Sequence, residues 1–419
     1  MAEDPSEVFK ELGHLISNHV THLDHPRFFS FIPGPSNYYS VLADTLAAGY
    51  NVFAGHWMGG AFAAMVETRT LEWLAQIMEF PETSGGVFVS GGSMANLTAI
   101  IAARENKLPE DHVNGTVYYS EQTHSSLSKA LHILGFKAKN IRKISSDNDF
   151  RMDVKTLRRT IEEDIKNGLE PFCIIGNAGT TNTGAVDDLD ALSQIAKENN
   201  LWFHIDAAYG GATMLSEPYK KEVRGIQKAD SVTLDPHKWW FQPYEMGCLL
   251  VRDKDTLKDA FTVRAEYLDD TVSNSKEINY YEHGIQLTRS FRALKLYVFF
   301  RCVGLDQIAK DITKGFKNAE YIEILLKQKN YWEIITRPSL GIISFRVKIS
   351  ADESKNDAIN ADLSRYVLED GYAMITTTKL KGHVALRMCP IHPETTTDFL
   401  DKTFAVMCRF IEENHNSEK

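Results

Sequence analysis

Gly86-Val87-Phe88-Val89-Ser90-Gly91-Gly92-Ser93-Met94 is the stretch on which the fold turns. Gly86 to Val89 reads as a short strand, Ser90 to Ser93 as a turn without a bulky side chain, and Met94 to Arg104 has helical periodicity. A Gly/Ser turn that opens a helix presents backbone N–H groups and the positive end of the helix dipole, which suits an anion such as phosphate. Glycines there also serve the close packing of strand on helix, so the motif by itself leaves both uses open.

Outward from this unit the pattern repeats. Thr116 to Tyr118, Phe172 to Gly176, Trp202 to Ile205, Ser231 to Leu234 and Gly247 to Val251 read as short buried strands. Ser125 to Leu134, Val154 to Asn167 and Leu189 to Asn199 read as helices between some of them. The alternation predicts an α/β domain with a mainly parallel sheet and helices on both faces. Ligands in open α/β sheets sit at the carboxyl ends of the strands. His124, Thr181, Asp206 and the pair His237-Lys238 each lie just past such an end and are expected to converge.

Before this region, Ser6 to Leu23 carries apolar residues at helical spacing and predicts an amphipathic helix, packed either on its own domain or across a dimer. Phe28 to Pro35 is too rich in aromatics and proline for a helix and reads as an extended loop, used for core packing or for lining a pocket. Helices are expected from Tyr39 to Ala48 and from about Ala63 to Met78, separated by a glycine-rich stretch. Thr262 to Tyr281 reads as a long, mobile loop, a length typical of lids. Helical patterning returns from Ser290 to about Lys327. Strands at Gly341 to Val347 and Val384 to Met388, with helices at Ala361 to Glu369 and Thr396 to Asn414, then predict a smaller C-terminal α+β domain. The resulting division is an N-terminal helical arm and aromatic loop over 1–48, a large α/β domain over 49–300 and a small domain over 301–419.

With 46 basic and 56 acidic residues the net charge is -10, and no long basic cluster occurs, which argues against a nucleic-acid or anionic-membrane surface. No apolar run approaches the roughly 20 residues of a membrane span. The five cysteines are scattered without C-x-x-C spacing, so neither a disulfide framework nor a zinc site is expected, and a reducing cytoplasm is the simplest compartment. The first 23 residues lack the basic and apolar regions of a signal peptide.

Two further segments carry the chemistry. Leu234-Asp235-Pro236-His237-Lys238-Trp239 places one lysine between a short apolar run and two tryptophans, and His204-Ile205-Asp206-Ala207-Ala208-Tyr209-Gly210-Gly211 ends a strand on a carboxylate. An amine able to form a Schiff base, and a carboxylate able to keep a ring nitrogen protonated, are the two groups that a pyridoxal phosphate site needs most. Together with Gly91-Gly92-Ser93-Met94-Ala95-Asn96, in this order and at these separations, the segments resemble the group II pyridoxal-phosphate-dependent amino acid decarboxylases, with the match running from about His25 to Thr396.

The resemblance implies a fold-type I, aspartate-aminotransferase-like architecture and a homodimer with active sites at the subunit interface. It implies that Lys238 holds pyridoxal 5'-phosphate covalently, that Asp206 pairs with the pyridine nitrogen and that His124 stacks on the ring. Gly92 and Ser93, with His237, would bind the phosphate, and Thr181, Asp187 and Ala208 match positions beside the cofactor. Tyr267, in the long loop, aligns with the tyrosine that returns a proton to Cα after carbon dioxide leaves. The expected reaction is decarboxylation of a small-molecule L-amino acid, favoured to be aromatic, to its amine. The alternatives are oxidative decarboxylation and deamination to an aldehyde, or a non-aromatic substrate.

Three departures from the family stand out. The N-terminal segment is shorter than in the animal aromatic decarboxylases, Asp235 stands where many relatives have asparagine, and Gly55 takes the place of an aromatic beside the substrate ring, predicting a wider or differently filled pocket.

Overall fold

A computed structural model describes residues 2–110, 112–262 and 277–415. Its centre is a seven-stranded sheet in the order β1-β7-β6-β5-β4-β2-β3. The strands are β1 (Gly85–Val89), β2 (Gly115–Ser120), β3 (Ile141–Ile144), β4 (Glu170–Asn177), β5 (Trp202–Asp206), β6 (Ser231–Leu234) and β7 (Gly247–Val251). Strands β3, β2, β4, β5 and β6 run parallel, while β7 is antiparallel to both β6 and β1. The sheet is therefore mainly parallel, as the alternation predicts.

Strand β4 shows how apolar runs become a two-sided core. Ile174 belongs to the cluster that contains Leu189 and Leu192 of one helix, α7 (Leu189–Glu198). Its neighbours Cys173 and Ile175 pack instead with Ile100 of α4 (Gly92–Lys107) and Leu127 of α5 (Ser125–Ile133). Alternate side chains on a strand point to opposite faces, so helices cover both sides of the sheet. Full burial of such side chains contributes about 1.5–3 kcal/mol each.

Helix α3 (Trp57–Ile77) begins six residues before the expected Ala63 and runs through the glycine-rich stretch. His56 caps it, Nδ1 accepting from Gly59 N at 2.8 Å, and the turn is kinked at Gly60, which adopts a non-helical φ of -159°. Glu67 of this helix forms a buried ion pair with Arg289 at 2.5 Å, and both groups also bond the backbone of Phe88. This pair fixes the edge strand β1 against α3. Removing one partner would leave a buried charge uncompensated, at a cost of about 3–5 kcal/mol.

A second, four-stranded antiparallel sheet has the order β10-β11-β9-β8, from β8 (Trp332–Ser339), β9 (Ile342–Val347), β10 (Thr376–Leu380) and β11 (His383–Met388). Helix α11 (Glu353–Asp370) packs on it, and α12 (Thr397–His415) packs on α11. Its core includes Phe29 from the aromatic loop, fully buried beside Phe345 and Leu386. Arg387 of β11 bonds the carbonyls of Thr181 and Phe31, joining the small sheet to the loops above the large one.

The predicted amphipathic helix is present as α1 (Pro5–His19), four residues shorter at its C-terminal end than expected, and none of its residues is buried. At the end of the expected long loop, Tyr280–His283 forms a 3-10 turn, with the Tyr280 ring buried and its hydroxyl 2.9 Å from Thr68 Oγ1. Tyr267 lies outside the described residues.

Candidate active site

A cavity of about 320 Å³ opens at the carboxyl ends of the parallel strands, between the first turn of α4 and the segment that follows β6. His124, Asp206, Ala208, His237 and Lys238 line it together with Gly92, Ser93 and Thr181. Eight of the expected positions therefore share one wall-to-wall space. Asp187 does not line it. Its carboxylate is buried behind Asn177, accepting from Asn177 N and Nδ2 at 2.8 Å and from Met152 N at 2.7 Å, and burial raises its pKa. Asn177 does line the cavity, with Nδ2 also donating to Thr123 Oγ1 at 3.0 Å. Asp187 thus reaches the site only through Asn177.

Asp206 ends β5 and is held from two sides. Its Oδ1 accepts from Ala208 N at 3.2 Å and its Oδ2 from Asn96 Nδ2 at 3.0 Å. Asn96 is the hub of a buried network. Nδ2 also donates to Ser126 Oγ at 3.0 Å, and Oδ1 lies 3.0 Å from His204 Nε2, whose Nδ1 is 2.8 Å from Ser231 Oγ. Burial lowers the His204 pKa to about 4, against an upward pull from Asp206, so the imidazole is neutral near pH 7. A neutral ring with Nε2–H donating to Asn96 completes every bond in the network. Ser126 in turn lies 2.9 Å from His124 Nδ1, at the cap of α5. The His124 ring and the Asp206 carboxylate are therefore positioned through one shared amide.

The opposite wall is the start of α4. No side chain caps this helix, so its first turn faces the cavity with the positive end of its dipole. A Cβ on Gly92 would stand 2.7 Å from Asp235 Oδ2, and one on Gly247 would stand 2.4 Å from Gly91 Cα. Both positions need glycine for β7 and the lysine segment to approach this turn so closely.

Lys238 Nζ pairs with Asp235 Oδ2 at 2.9 Å rather than with Asp206. The tryptophans that follow are both buried, and Trp239 stacks on Tyr209 with ring centroids 4.9 Å apart. Tyr209 also bonds the carbonyl of Leu340, tying the cavity wall to the second sheet. His237 accepts from Met246 N at Nδ1, and burial lowers its pKa.

Of the two uses open to the aromatic loop, core packing is the one seen in this chain. None of Phe28 to Pro35 lines the cavity, and Phe28 and Phe29 are core residues. A Cβ on Gly55 would meet the Phe53 ring at 2.5 Å and Leu287 O at 2.6 Å. The space beside Gly55 is filled by Phe53, which packs on His56, and is not open.

Asn96, Ser126, Asn177 and Asp235 line the cavity without having been singled out for roles in the sequence. Asn96 follows the Gly91-Gly92-Ser93 turn by one helical turn, and Asp235 precedes Lys238 by three residues, so spacing could have found both. What the arrangement offers is an amine, a fixed carboxylate, a ring above the space between them and an anion cradle at a helix N-terminus.

The family model described as pyridoxal-dependent decarboxylase conserved domain matches residues 1–348. Over 399 residues, the chain is 44% identical to an aromatic-L-amino-acid decarboxylase of Bacillus atrophaeus, covering 94% of this chain and 83% of that protein. It is 33% identical to a phenylacetaldehyde synthase of Arabidopsis thaliana over 90% of this chain and 80% of that one. Among solved structures, TDC of Oryza sativa with PLP and tryptamine superposes with a TM-score of 0.94 at 26% identity, covering 99% of this chain and 89% of the other.

Proposed function

We propose that this chain, which belongs to the pyridoxal-dependent decarboxylase family, converts an aromatic L-amino acid to its amine and carbon dioxide. The observation that carries this reading is the placement of Lys238, Asp206 and His124 around one cavity closed by the uncapped start of α4. The choice of an aromatic substrate is supported by the 44% identical relative named for that activity.

The cavity residues fit pyridoxal phosphate. Gly92 and Ser93 leave the first turn of α4 open to a phosphate, and Asp206 is fixed by Asn96 and Ala208 at a position suited to a pyridinium N–H. When bound, the cofactor supplies a conjugated, protonated ring into which the electrons of the breaking Cα–carboxylate bond are delocalised. Lys238 anchors it as a nucleophilic amine. Asp206 keeps the ring nitrogen protonated, a task for a carboxylate whose two oxygens are already oriented. His124, held in place by Ser126, would bound the ring face. The proton returned to Cα is assigned to Tyr267, by its alignment in the sequence.

The same reading makes the enzyme a cytoplasmic homodimer. In support, α1 exposes Phe9 (75%) and Ile16 (59%), and α3 exposes Met58 (72%), Phe62 (64%) and Met65 (57%), forming apolar faces with no cover in one chain. All five cysteines are free, which suits a reducing compartment.

A second reading, oxidative conversion to an aldehyde, is favoured by the 33% identical phenylacetaldehyde synthase. Incubating the purified enzyme with a panel of L-amino acids and measuring amine, aldehyde and hydrogen peroxide separates the two. Amine from tryptophan, phenylalanine or tyrosine without peroxide is the expected result, and stoichiometric aldehyde and peroxide would establish the second reading instead.

A further inference from the structure

Asp235 has no part in the reaction outlined above, yet it sits at the most crowded point of the cavity. Its side chain is 3% exposed, and Oδ2 contacts Lys238 Nζ at 2.9 Å. The same oxygen lies 2.7 Å from where a Cβ on Gly92 would stand, which puts the carboxylate over the first turn of α4. Oδ1 is buried and has no hydrogen-bond partner. A dianionic phosphate docked on that helix turn would face an ionised carboxylate at close range, and like charges in a shared buried site cannot both persist.

Lysine poses the complementary difficulty. Only the neutral amine is a nucleophile, and Lys238 is held in its charged form. Burial draws its pKa down, but the nearby carboxylates of Asp235 and Asp206 outweigh this and raise it. The proton must leave before the lysine can be joined to a cofactor. Asp206 is occupied by Asn96 and the Ala208 amide. Of the other charged groups nearby, Lys295 is paired with Asp44 and Glu67 with Arg289. Burial keeps His237, 3.6 Å from Asp235 Oδ2, neutral by lowering its pKa, and raises the pKa values of Tyr244 and Cys248. His124, across the cavity, is engaged with Ser126.

We propose that Asp235 takes the proton of Lys238 when the cofactor is loaded and thereafter stands as a neutral carboxylic acid beside the phosphate cradle. The transfer is balanced within the pair: the Nζ–H bond breaks, an O–H bond forms on the carboxylate, and an ammonium and a carboxylate become an amine and an acid. The proton stays within the pair, and the two hydrogens left on the amine would depart with the carbonyl oxygen as water when the amine condenses with the cofactor aldehyde. One step thus frees the nucleophile and removes the negative charge facing the phosphate, with the proton passing to Oδ2, the oxygen in contact with Nζ. Without the transfer, joining Lys238 to the cofactor would strand a buried, unpaired carboxylate.

The proposal rests on the pyridoxal phosphate reading and is tested on the carboxyl group itself. Infrared difference spectra of the wild-type enzyme, loaded minus cofactor-free, are expected to show a new C=O stretch of a protonated carboxylic acid that shifts in heavy water and is lost in Asp235→Asn. The isosteric, permanently neutral Asp235→Asn protein is expected to retain the cofactor, with a dissociation constant no weaker than that of wild type. Wild-type protein carrying ¹³C at its aspartate carboxyls gives an independent readout: one resonance moves from the carboxylate to the acid position on loading. A loaded wild-type enzyme with no acid band and no shifted resonance would overturn the proposal, as would a band that persists in Asp235→Asn. Visible absorbance of the bound cofactor is recorded in parallel, so a failure of cofactor binding registers there and removes the premise as well.

Discussion

The cavity wall around Asp206 and the outer face of α1 and α3 are built on opposite terms. Around Asp206 the carboxylate is held by groups of this chain: Asn96 alone joins Asp206, Ser126 and His204. On the outer face, Phe9, Met58 and Phe62 remain in water. The difference separates two tasks. The cavity wall rests on buried bonds made within this chain, whereas the apolar faces of α1 and α3 have no cover from it.

Substitutions should respect that separation. Asp206→Asn removes the charge opposite the ring nitrogen while keeping the side chain's shape. A loss of about 3–5 kcal/mol, the cost of breaking a buried charged pair, corresponds to a fall in turnover on the order of 10² to 10⁴-fold, measured as amine release at saturating substrate. Asn96→Ala should cost about 1–3 kcal/mol through the buried partners it leaves unsatisfied. Denaturant unfolding of the cofactor-free protein and a weaker pyridoxal phosphate titration would both register it, and an unchanged titration would break the link between Asn96 and Asp206.

Acid should act on the same wall. His204 is held neutral with a pKa of about 4, against an ordinary 6.5. A lowered folded-state value means the unfolded chain binds the proton first, so stability is full above about pH 6.5 and is lost as pH falls toward 4. The slope contributed by this group approaches about 1.4 kcal/mol per pH unit. His204→Gln should flatten that part of a melting-temperature profile.

The smallest effect on the cofactor is expected from the outer face. Phe9→Ala should weaken self-association by about 1.5–3 kcal/mol, the value of one buried phenylalanine, as read by sedimentation, while leaving the visible absorbance of the bound cofactor intact. Loss of that absorbance would mean that the two regions are not separable.

The same contrast governs what the sequence disclosed. Strands buried on both faces, such as Phe172 to Gly176 and Ser231 to Leu234, are legible as apolar runs. Strands β3, β8 and β10 are not, and all three lie at sheet edges. Ile141–Ile144 carries Arg142 and Lys143, and Thr376–Leu380 has no apolar run, because an edge strand has less to bury. Lys238, Asp206 and His124 were legible because motif spacing and strand ends coincide there. That Asp187 meets the cavity only through Asn177 was not legible, because a Thr/Gly/Asp-rich loop does not disclose which of its side chains turn inward. Asp235 as the partner of Lys238 depended on a three-residue offset that becomes a contact only when the segment folds over α4. Gly55 predicted a pocket wider or differently filled; the space is filled by the Phe53 ring, which a missing side chain does not identify.

The central claim is that Lys238 is the covalent anchor of a site whose other walls are Asp206, His124 and the start of α4. Reducing the cofactor-loaded enzyme with borohydride and mapping its peptides by mass spectrometry tests this most directly. The account predicts the reduced pyridoxyl phosphate mass on Lys238 and on no other lysine. Cofactor absorbance that survives with Lys238 unmodified, or a label on a different lysine, would contradict it.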